Sequence, residues 1–526
     1  MHDKEYYILL AIILVFGLAL STLFFSGPFY SFDDLSYITY AHQILNGTFS
    51  ITASPYAYGL LFPASLAASF TAFGISIWAS IIPNILEYLA IIILGFAAAR
   101  KLYGNEHGVI AAFIIATAPF IIGYSTRVLP DMALGAIAGI SILCFIHAQK
   151  GGKNPMPLYF LSGAFAALTI YIKLIGLAFV LFFAIASLAI WLFNRKHGKN
   201  HGFMYLFAGM FTLLLIYTAI FQIYGNGIMS AFSVYGQNQN TISHSTLNKN
   251  IDSMSTALFG ELGYQNQYNS FSPITDPQVF PLGFSILLAI YGTAIGVSRR
   301  DQNITFISVI LWGVFLYLFF GTVTITGYNF ITVISRYFIL VSVPIAILSS
   351  YALFNVAKYA ASRLRIPKVY LITLLFAAIL LSNMQSYTAL YNYNLSISGD
   401  INAFSRLVGY ISTHDNGSVL YVGGTGESAS FIRFLSGYNQ SIDVIPVDIL
   451  SKVNATEWTD MACKQGANVS FALIYTNNSE PVYTTVFNNW IATNCNITGS
   501  EVFEDNASSH NIYNGMNVRI ILYQMR

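Results

Sequence analysis

Residues 58–73 read Tyr58-Gly-Leu-Leu-Phe-Pro63-Ala-Ser-Leu-Ala-Ala-Ser-Phe70-Thr-Ala-Phe73. The stretch is apolar and close to the length at which a helix crosses a membrane, about 20 residues. Whether it crosses decides the side on which every later segment lies. Apolar runs of spanning length fall near 6–25, 78–99, 108–125, 131–148, 157–172, 174–193, 203–224, 281–298, 303–320, 337–356 and 368–386. Short basic loops belong on the cytoplasmic side. The basic clusters are Arg100-Lys101, Lys150 with Lys153, Arg195-Lys196 with Lys199, Arg299-Arg300, and Lys358 through Arg363 and Arg365 to Lys368. If residues 58–73 crossed, all five clusters would face outside. If they lie along the interface or re-enter, all five face inside. The sequence therefore predicts about eleven spans. The first run, Tyr6 to Phe25, follows Lys4, is long for a signal peptide and shows no A-x-A site before Gly27-Pro28. It reads as a retained span with a cytoplasmic N-terminus.

Composition agrees. Of 526 residues 56% are hydrophobic and 9% charged, against roughly 25% charged in a soluble domain, so most of the chain has no ordinary water-facing surface. Residues 1–389 hold 18 Lys+Arg and 11 Asp+Glu, residues 390–526 hold 6 and 11. The division expected is a membrane domain, 1–389, and a soluble exterior domain, 390–526. No basic stripe suggests nucleic acid, and three cysteines are too few for a disulfide scaffold.

Outer connections are expected at 26–77 and 225–280. In the last part, Ser418–Val422, Ile442–Ile445, Val469–Tyr475 and Val518–Tyr523 look like buried strands. Helical stretches near 401–413, 427–436 and 482–493 alternate with them, the pattern of a small α/β domain. Eight N-x-[ST] acceptors occur there, at Asn394, Asn416, Asn439, Asn454, Asn468, Asn477, Asn496 and Asn506. Its 17 Asn and 24 Ser+Thr among 137 residues would give about three by chance. The excess favours an exterior or lumenal location. Cys463 and Cys495 are a candidate disulfide there, while Cys144, within a span, reads as packing.

With this topology 14 of the 18 basic residues of the first part are cytoplasmic, and Arg127, Lys173, Lys249 and Arg336 are not. Asp33, Asp34 and Asp131 fall on the same outer side. Each has a plain structural account. Asp33-Asp34 or Asp131 can cap a helix, Lys173 can snorkel to the headgroups, and Arg336 can anchor a span on a lipid phosphate. Together, three carboxylates and three cations at one membrane boundary are what a site needs to hold an anionic lipid headgroup and do acid–base chemistry beside it. Glu87 stands apart, near the middle of the span 78–99 with Asn84 on the same helical face. It is either hydrogen-bonded inside the bundle or a relay residue of the kind a transporter uses. Gly423-Gly424-Thr-Gly426 lacks the Lys-[ST] of a phosphate loop and reads as a tight turn.

The order of these pieces resembles the GT-C class of integral-membrane glycosyltransferases, in the branch of the protein O-mannosyltransferases and the lipid A aminoarabinose transferase. The matching features are Asp33-Asp34 after the first span, Pro55 to Phe73 along the membrane, and Arg100-Lys101-Leu-Tyr-Gly ending a span. They continue with Pro119, Ser125 and Pro130-Asp131, with Leu168-Thr169 and Lys173 at a looser spacing, and with Arg336-Tyr337 before Pro344. The likeness covers roughly residues 1–350, and the WWDYG-type motif of oligosaccharyltransferases is absent. It implies an inverting transferase moving one sugar from a polyprenyl- or dolichyl-phosphate donor to a glycan, protein or lipid acceptor. Asp33 would be the base, with Asp34 and Asp131 beside it, and Lys173, Arg336 and Arg127 would hold the lipid phosphate. No cofactor is required, and a divalent metal on Asp33 and Asp34 is left open. The membrane would be the cell membrane, or the endoplasmic reticulum in a eukaryote. The competing reading is a secondary transporter or lipid flippase.

Overall fold

The computed structural model describes residues 3–25, 32–51, 59–151, 155–195, 202–224, 284–321, 335–414, 419–422, 426–438, 442–445, 470–476, 497–505 and 518–525. The second long connection, Cys463, Cys495 and the helix expected at 482–493 lie outside these residues. The helices are α1 (Asp3–Leu23), α2 (Phe32–Leu45), α3 (Leu61–Phe73), α4 (Ile77–Tyr103), α5 (Asn105–Ala116), α6 (Pro119–Tyr124), α7 (Asp131–Gln149) and α8 (Met156–Ile172). They continue as α9 (Gly176–Arg195), α10 (Gly202–Tyr224), α11 (Phe284–Ser298), α12 (Gln302–Phe320), a 3-10 turn (Ser335–Val341), α13 (Ser342–Leu364) and α14 (Lys368–His414). Among the described residues seven helical segments are long and apolar enough to cross a membrane, and several shorter apolar ones pack among them. The chain is a multi-span helical membrane protein.

The decisive stretch forms α3, a helix of 13 residues. At 1.5 Å per residue it reaches about 20 Å, short of the ~30 Å hydrocarbon layer. It packs on α2 and α4.

The run 108–125, expected as one span, is two helices. Pro119 has no N–H to continue α5 and is placed at the start of α6 instead. The break leaves backbone carbonyls without helical donors in a buried place, and side chains supply them. Thr117 O accepts from Asn383 Nδ2 at 3.0 Å and from the Tyr387 hydroxyl at 2.6 Å, and Ala116 O accepts from the Tyr88 hydroxyl at 2.9 Å. These bonds meet the rule that buried backbone groups find partners.

Elsewhere close approach depends on glycine. A Cβ on Gly163 of α8 would lie 1.9 Å from Leu206 O of α10, and one on Gly209 of α10 would lie 2.0 Å from Phe160 O. The two helices therefore meet backbone to backbone, as membrane helices do at small residues.

Charged pairs sort to opposite ends of the bundle. Where α4 ends and α5 begins, Arg100 lies 3.7 Å from Asp3, Lys368 lies 2.6 Å from Glu106, and Tyr103 donates to Asp301 at 3.0 Å. At the other end lie the start of α2, the α6–α7 and α8–α9 turns and the 3-10 turn. Arg100 and Lys368, of the basic clusters, thus lie at the end of the bundle opposite the six expected site residues.

The domain boundary expected at 389/390 lies inside α14, which runs unbroken for 47 residues. At about 70 Å it is more than twice the hydrocarbon thickness, so its second half leaves the bilayer. Beyond it come β1 (Val419–Val422), α15 (Gly426–Leu435), β2 (Ile442–Ile445), β3 (Ser470–Thr476), β4 (Ile497–Asp505) and β5 (Val518–Met525). The sheet order is β2-β1-β3-β5-β4, with β1 parallel to both neighbours and β5 antiparallel to β3 and β4. Phe431 of α15 meets Phe404 of α14 edge-on at 5.6 Å. Just past α15, Tyr438 stacks on His42 of α2 with ring centroids 3.8 Å apart. The last part of the chain thus rests on the helix that carries Asp33 and Asp34.

Gly163→Ala or Gly209→Ala is expected to destabilise the protein by roughly 1–3 kcal/mol through overpacking. A Cβ on Gly409 meets nothing within 4 Å, so Gly409→Ala is expected to stabilise α14 by about 0.5–1 kcal/mol. Thermal unfolding of the three purified variants checks both.

Candidate active site

Two carboxylates adjacent in a helix diverge by about 100°. Asp33 and Asp34 are in the first turn of α2, so they point to different surroundings. Asp34 is fully buried. Its Oδ2 accepts from Arg127 Nη2 at 2.7 Å, and its Oδ1 from the Val128 backbone N–H at 2.9 Å. Asp33 keeps 23% of its side chain exposed, and its Oδ2 accepts from Arg336 Nη2 at 2.7 Å.

The turn between α6 and α7 is not a surface turn. Ser125, Thr126, Arg127, Val128 and Leu129 are all buried. It is tied from three sides: Ser125 Oγ hydrogen-bonds Ser21 Oγ of α1 at 2.7 Å, Asp34 of α2 takes Arg127, and Asn84 Nδ2 of α4 donates to Leu129 O at 2.7 Å.

Asp131 opens α7 and is buried. Its Oδ1 accepts from Lys173 Nζ at 2.9 Å, and its Oδ2 lies 4.0 Å from Arg336 Nε. Lys173 caps the C-terminal end of α8 in extended backbone, and its ammonium lies 4.8 Å from the ring centre of Tyr337. Burial pushes that ammonium down from lysine's usual value, and the Asp131 carboxylate opposes the push. Just before it, the Gly59 backbone lies so close to Ile172 that a Cβ would come within 2.2 Å of the Ile172 carbonyl oxygen. The first connection is pressed against the lysine's own turn.

Asp33, Arg336, Asp131 and Lys173 thus form one line of alternating charge, drawn from four separate parts of the chain. Asp34 and Arg127 form a second, deeper pair beside it. All six expected residues lie in these two groups. The line ends at a partly exposed carboxylate, and its two cations are donors held in a low-dielectric place. Such an arrangement has the chemistry to bind an anion and to take up a proton beside it. The two carboxylates of the acidic pair are turned to different cations, and among the described residues no group of three or more His, Cys, Asp or Glu could hold a metal.

Sequence reading did not assign Tyr337 to Lys173, nor Ser21 and Asn84 to the buried turn. The signal for the last two was a polar residue inside an apolar run, which needs a partner when buried.

Residues 58–221 match the family model of dolichyl-phosphate-mannose-protein mannosyltransferase. This range includes Arg127, Asp131 and Lys173 but not Asp33, Asp34 or Arg336. Among solved structures, ArnT from Cupriavidus metallidurans bound to undecaprenyl phosphate gives a TM-score of 0.61 at 12% identity, covering 99% of this chain and 98% of that one. The apo oligosaccharyltransferase of Archaeoglobus fulgidus gives 0.55 at 11% identity, covering 90% and 70%. No curated protein matches by sequence. The chain shares its fold with these two membrane proteins.

The inner pair generates a stability prediction. Removing one partner of a buried ion pair strands the other charge, at about 3–5 kcal/mol, whereas replacing both by apolar groups is often nearly neutral. Asp34→Leu alone is expected to lose about that much. Asp34→Leu with Arg127→Met should recover most of it, as read by the unfolding midpoint in detergent.

Proposed function

We propose that this protein is an inverting glycosyltransferase. It moves one sugar from a polyprenyl- or dolichyl-phosphate donor to an acceptor hydroxyl at the outer or lumenal face of the membrane. The carrying observation is the line Asp33–Arg336–Asp131–Lys173. Its two cations are drawn together from distant segments, with an accessible carboxylate at one end. The likeness of residues 58–221 to the mannosyltransferase family supports the reaction class, and the fold shared with ArnT, whose structure holds undecaprenyl phosphate, supports the donor class.

The chemistry follows from charge. The acceptor oxygen attacks the anomeric carbon, the bond from that carbon to the phosphate oxygen breaks, and the electron pair leaves with the lipid phosphate, which gains one negative charge. Lys173 and Arg336 are donors already oriented before that charge appears, the arrangement that lowers such a barrier most. Asp33 takes the acceptor's proton. Asp131 holds the two cations apart and aimed. Asp34 and Arg127 join α2 to the buried turn, so that Asp33 and Asp131 face one another across Arg336. When the donor phosphate draws Arg336 toward itself, Asp33 loses its cation and becomes the stronger base, which couples donor binding to proton removal. The rest of Tyr438 on α2 and the acceptor sequons of residues 390–526 both favour the same side for this part of the chain as for the site.

The test is an assay of purified protein in nanodiscs with dolichyl-phosphate mannose, dolichyl-phosphate glucose and undecaprenyl-phosphate aminoarabinose, following release of lipid phosphate. One donor is expected to be consumed. Arg336→Ala should lose ~10²-fold or more in turnover, the scale seen when one such donor is removed. Asp33→Asn, which keeps the side chain's shape and an oxygen that can accept from Arg336 but takes no proton, should fold, bind donor and transfer almost nothing. Near wild-type turnover in both variants would refute the assignment.

A further inference from the structure

Two backbone bonds close the end of α15, from the Gly437 N–H to Phe434 O at 2.9 Å and from the Tyr438 N–H to Arg433 O at 2.8 Å. Such a closure needs one left-handed residue just past the helix, and Gly437, at φ +65°, supplies it without strain. Tyr438 then takes a second left-handed step, at φ +58°. For a bulky L-residue that step is costly, and it persists only where the surroundings over-determine it. Its result is a face-to-face stack: the Tyr438 ring lies on that of His42 in the last turn of α2, 3.8 Å between centroids and 9° from parallel. Asn46 Nδ2 donates to His42 Nε2 at 2.8 Å and holds the imidazole in that plane. The Tyr438 hydroxyl is buried with no hydrogen-bond partner among the described residues, so the ring is what this residue contributes. α15 bears on the neighbouring helix as well, through Phe434 and Phe70 of α3 at 6.3 Å. Tyr37 of α2 meets Phe62 of α3 edge-on at 5.2 Å, so the two helices form one layer beneath α15.

We infer that His42 and Tyr438 are positioning residues for Asp33: the last part of the chain grips the far end of α2 and thereby sets where the carboxylate stands at its near end. The inference rests on the glycosyltransferase reading for its effect on turnover, but not for the coupling between the two ends of the helix. Asp34 anchors the near end through Arg127 and the Val128 N–H, and α2 is unbroken over its 14 residues. His42 lies about 13 Å along the axis from Asp33, and a side-chain carboxylate stands about 5 Å off the axis. Tilting α2 about Asp34 by about 2 Å at His42 therefore moves the Asp33 carboxylate by roughly 1 Å relative to Arg336. A misplacement of about 1 Å at a reacting site costs ~10²-fold. Lys173 and Arg336 belong to other segments, so donor affinity is expected to change little when the grip is lost. The stack also predicts which replacements are harmless. It needs a flat ring on each side and neither a hydroxyl nor a ring nitrogen, so Phe serves at 438 and at 42.

The experiment compares Tyr438→Phe and His42→Phe with Tyr438→Gly and His42→Ser, using whichever donor of the panel above is consumed, with kcat and donor KM measured separately. Glycine adopts a positive φ freely, so Tyr438→Gly removes the ring while relieving the backbone. The two Phe variants are expected to keep kcat within about threefold, and the two ring-less variants to lose at least about tenfold in kcat with donor KM within about threefold. Wild-type kcat in either ring-less variant would overturn the inference. So would equal losses in the Phe variants, which would give the role to the polar atoms, or a KM that rises as far as kcat falls. If neither ring-less variant folds while both Phe variants do, the stack serves stability alone and the inference fails. A second readout is independent of any donor. Asp33→Ala is expected to lower the unfolding midpoint in the wild type and to lower it much less in a Tyr438→Gly or His42→Ser background, because the Asp33–Arg336 pair it removes is already displaced. Equal shifts in all backgrounds would overturn the coupling. A wild type that consumes no donor would overturn the glycosyltransferase reading and leave this cycle to judge the grip on α2.

Discussion

An ionised group taken out of water needs a partner of opposite charge, because the Born cost of stranding it exceeds what packing returns. This constraint organises the site end of the bundle. Asp34, Arg127 and Asp131 are buried almost completely, and each is reached by a counter-charge from another part of the chain. The pairs Asp34–Arg127, Asp131–Lys173 and Asp33–Arg336 join residues 93, 42 and 303 positions apart in sequence. Buried ion pairs contribute little net stability over an apolar packing of the same shape. Their consequence here is register: α2, α7, the α8–α9 turn and the 3-10 turn have one arrangement in which every charge is met.

The same constraint bears on the glycosyl transfer proposed for this location. Three carboxylates and three cations balance in the unliganded protein, and a donor phosphate enters as one more anion. The cations closest to the accessible carboxylate are the ones it can recruit. The inner pair, with no exposure, stays in place and holds the scaffold. The buried and the partly exposed ion pair are thus one residue apart on α2, since neighbouring side chains on a helix face different ways.

Much of this was legible in the sequence, for identifiable reasons. The rhythm of apolar runs and basic clusters is a physical record of membrane thickness and sidedness, and a charge on the cation-poor side stands out against it. Six of the seven residues singled out in this way converge, and the seventh, Lys249, lies outside the described residues. What escaped was three-dimensional pairing. The pair Asp33-Asp34 reads as one feature, and only helix geometry splits it between Arg336 and Arg127. Pro119 was visible, but that it divides a span depended on Asn383 and Tyr387, more than 260 residues away, to receive the freed Thr117 carbonyl. Glu87 read as either a bonded carboxyl or a relay, and no spacing distinguishes the two. The passage of α14 through residue 390 was hidden because a helix leaving the bilayer changes its composition without changing its backbone.

The central claim is that Lys173 and Arg336 bind the donor's phosphate and that Arg336 gives up Asp33 to do so. The most direct measurement is an experimental structure of the wild-type protein with a polyprenyl phosphate bound. The account predicts phosphate oxygens within hydrogen-bond distance of Lys173 Nζ and of the Arg336 guanidinium, with Asp33 released from Arg336 and the Asp34–Arg127 pair unchanged. A phosphate bound elsewhere, with Asp33–Arg336 and Asp131–Lys173 both intact, would contradict it.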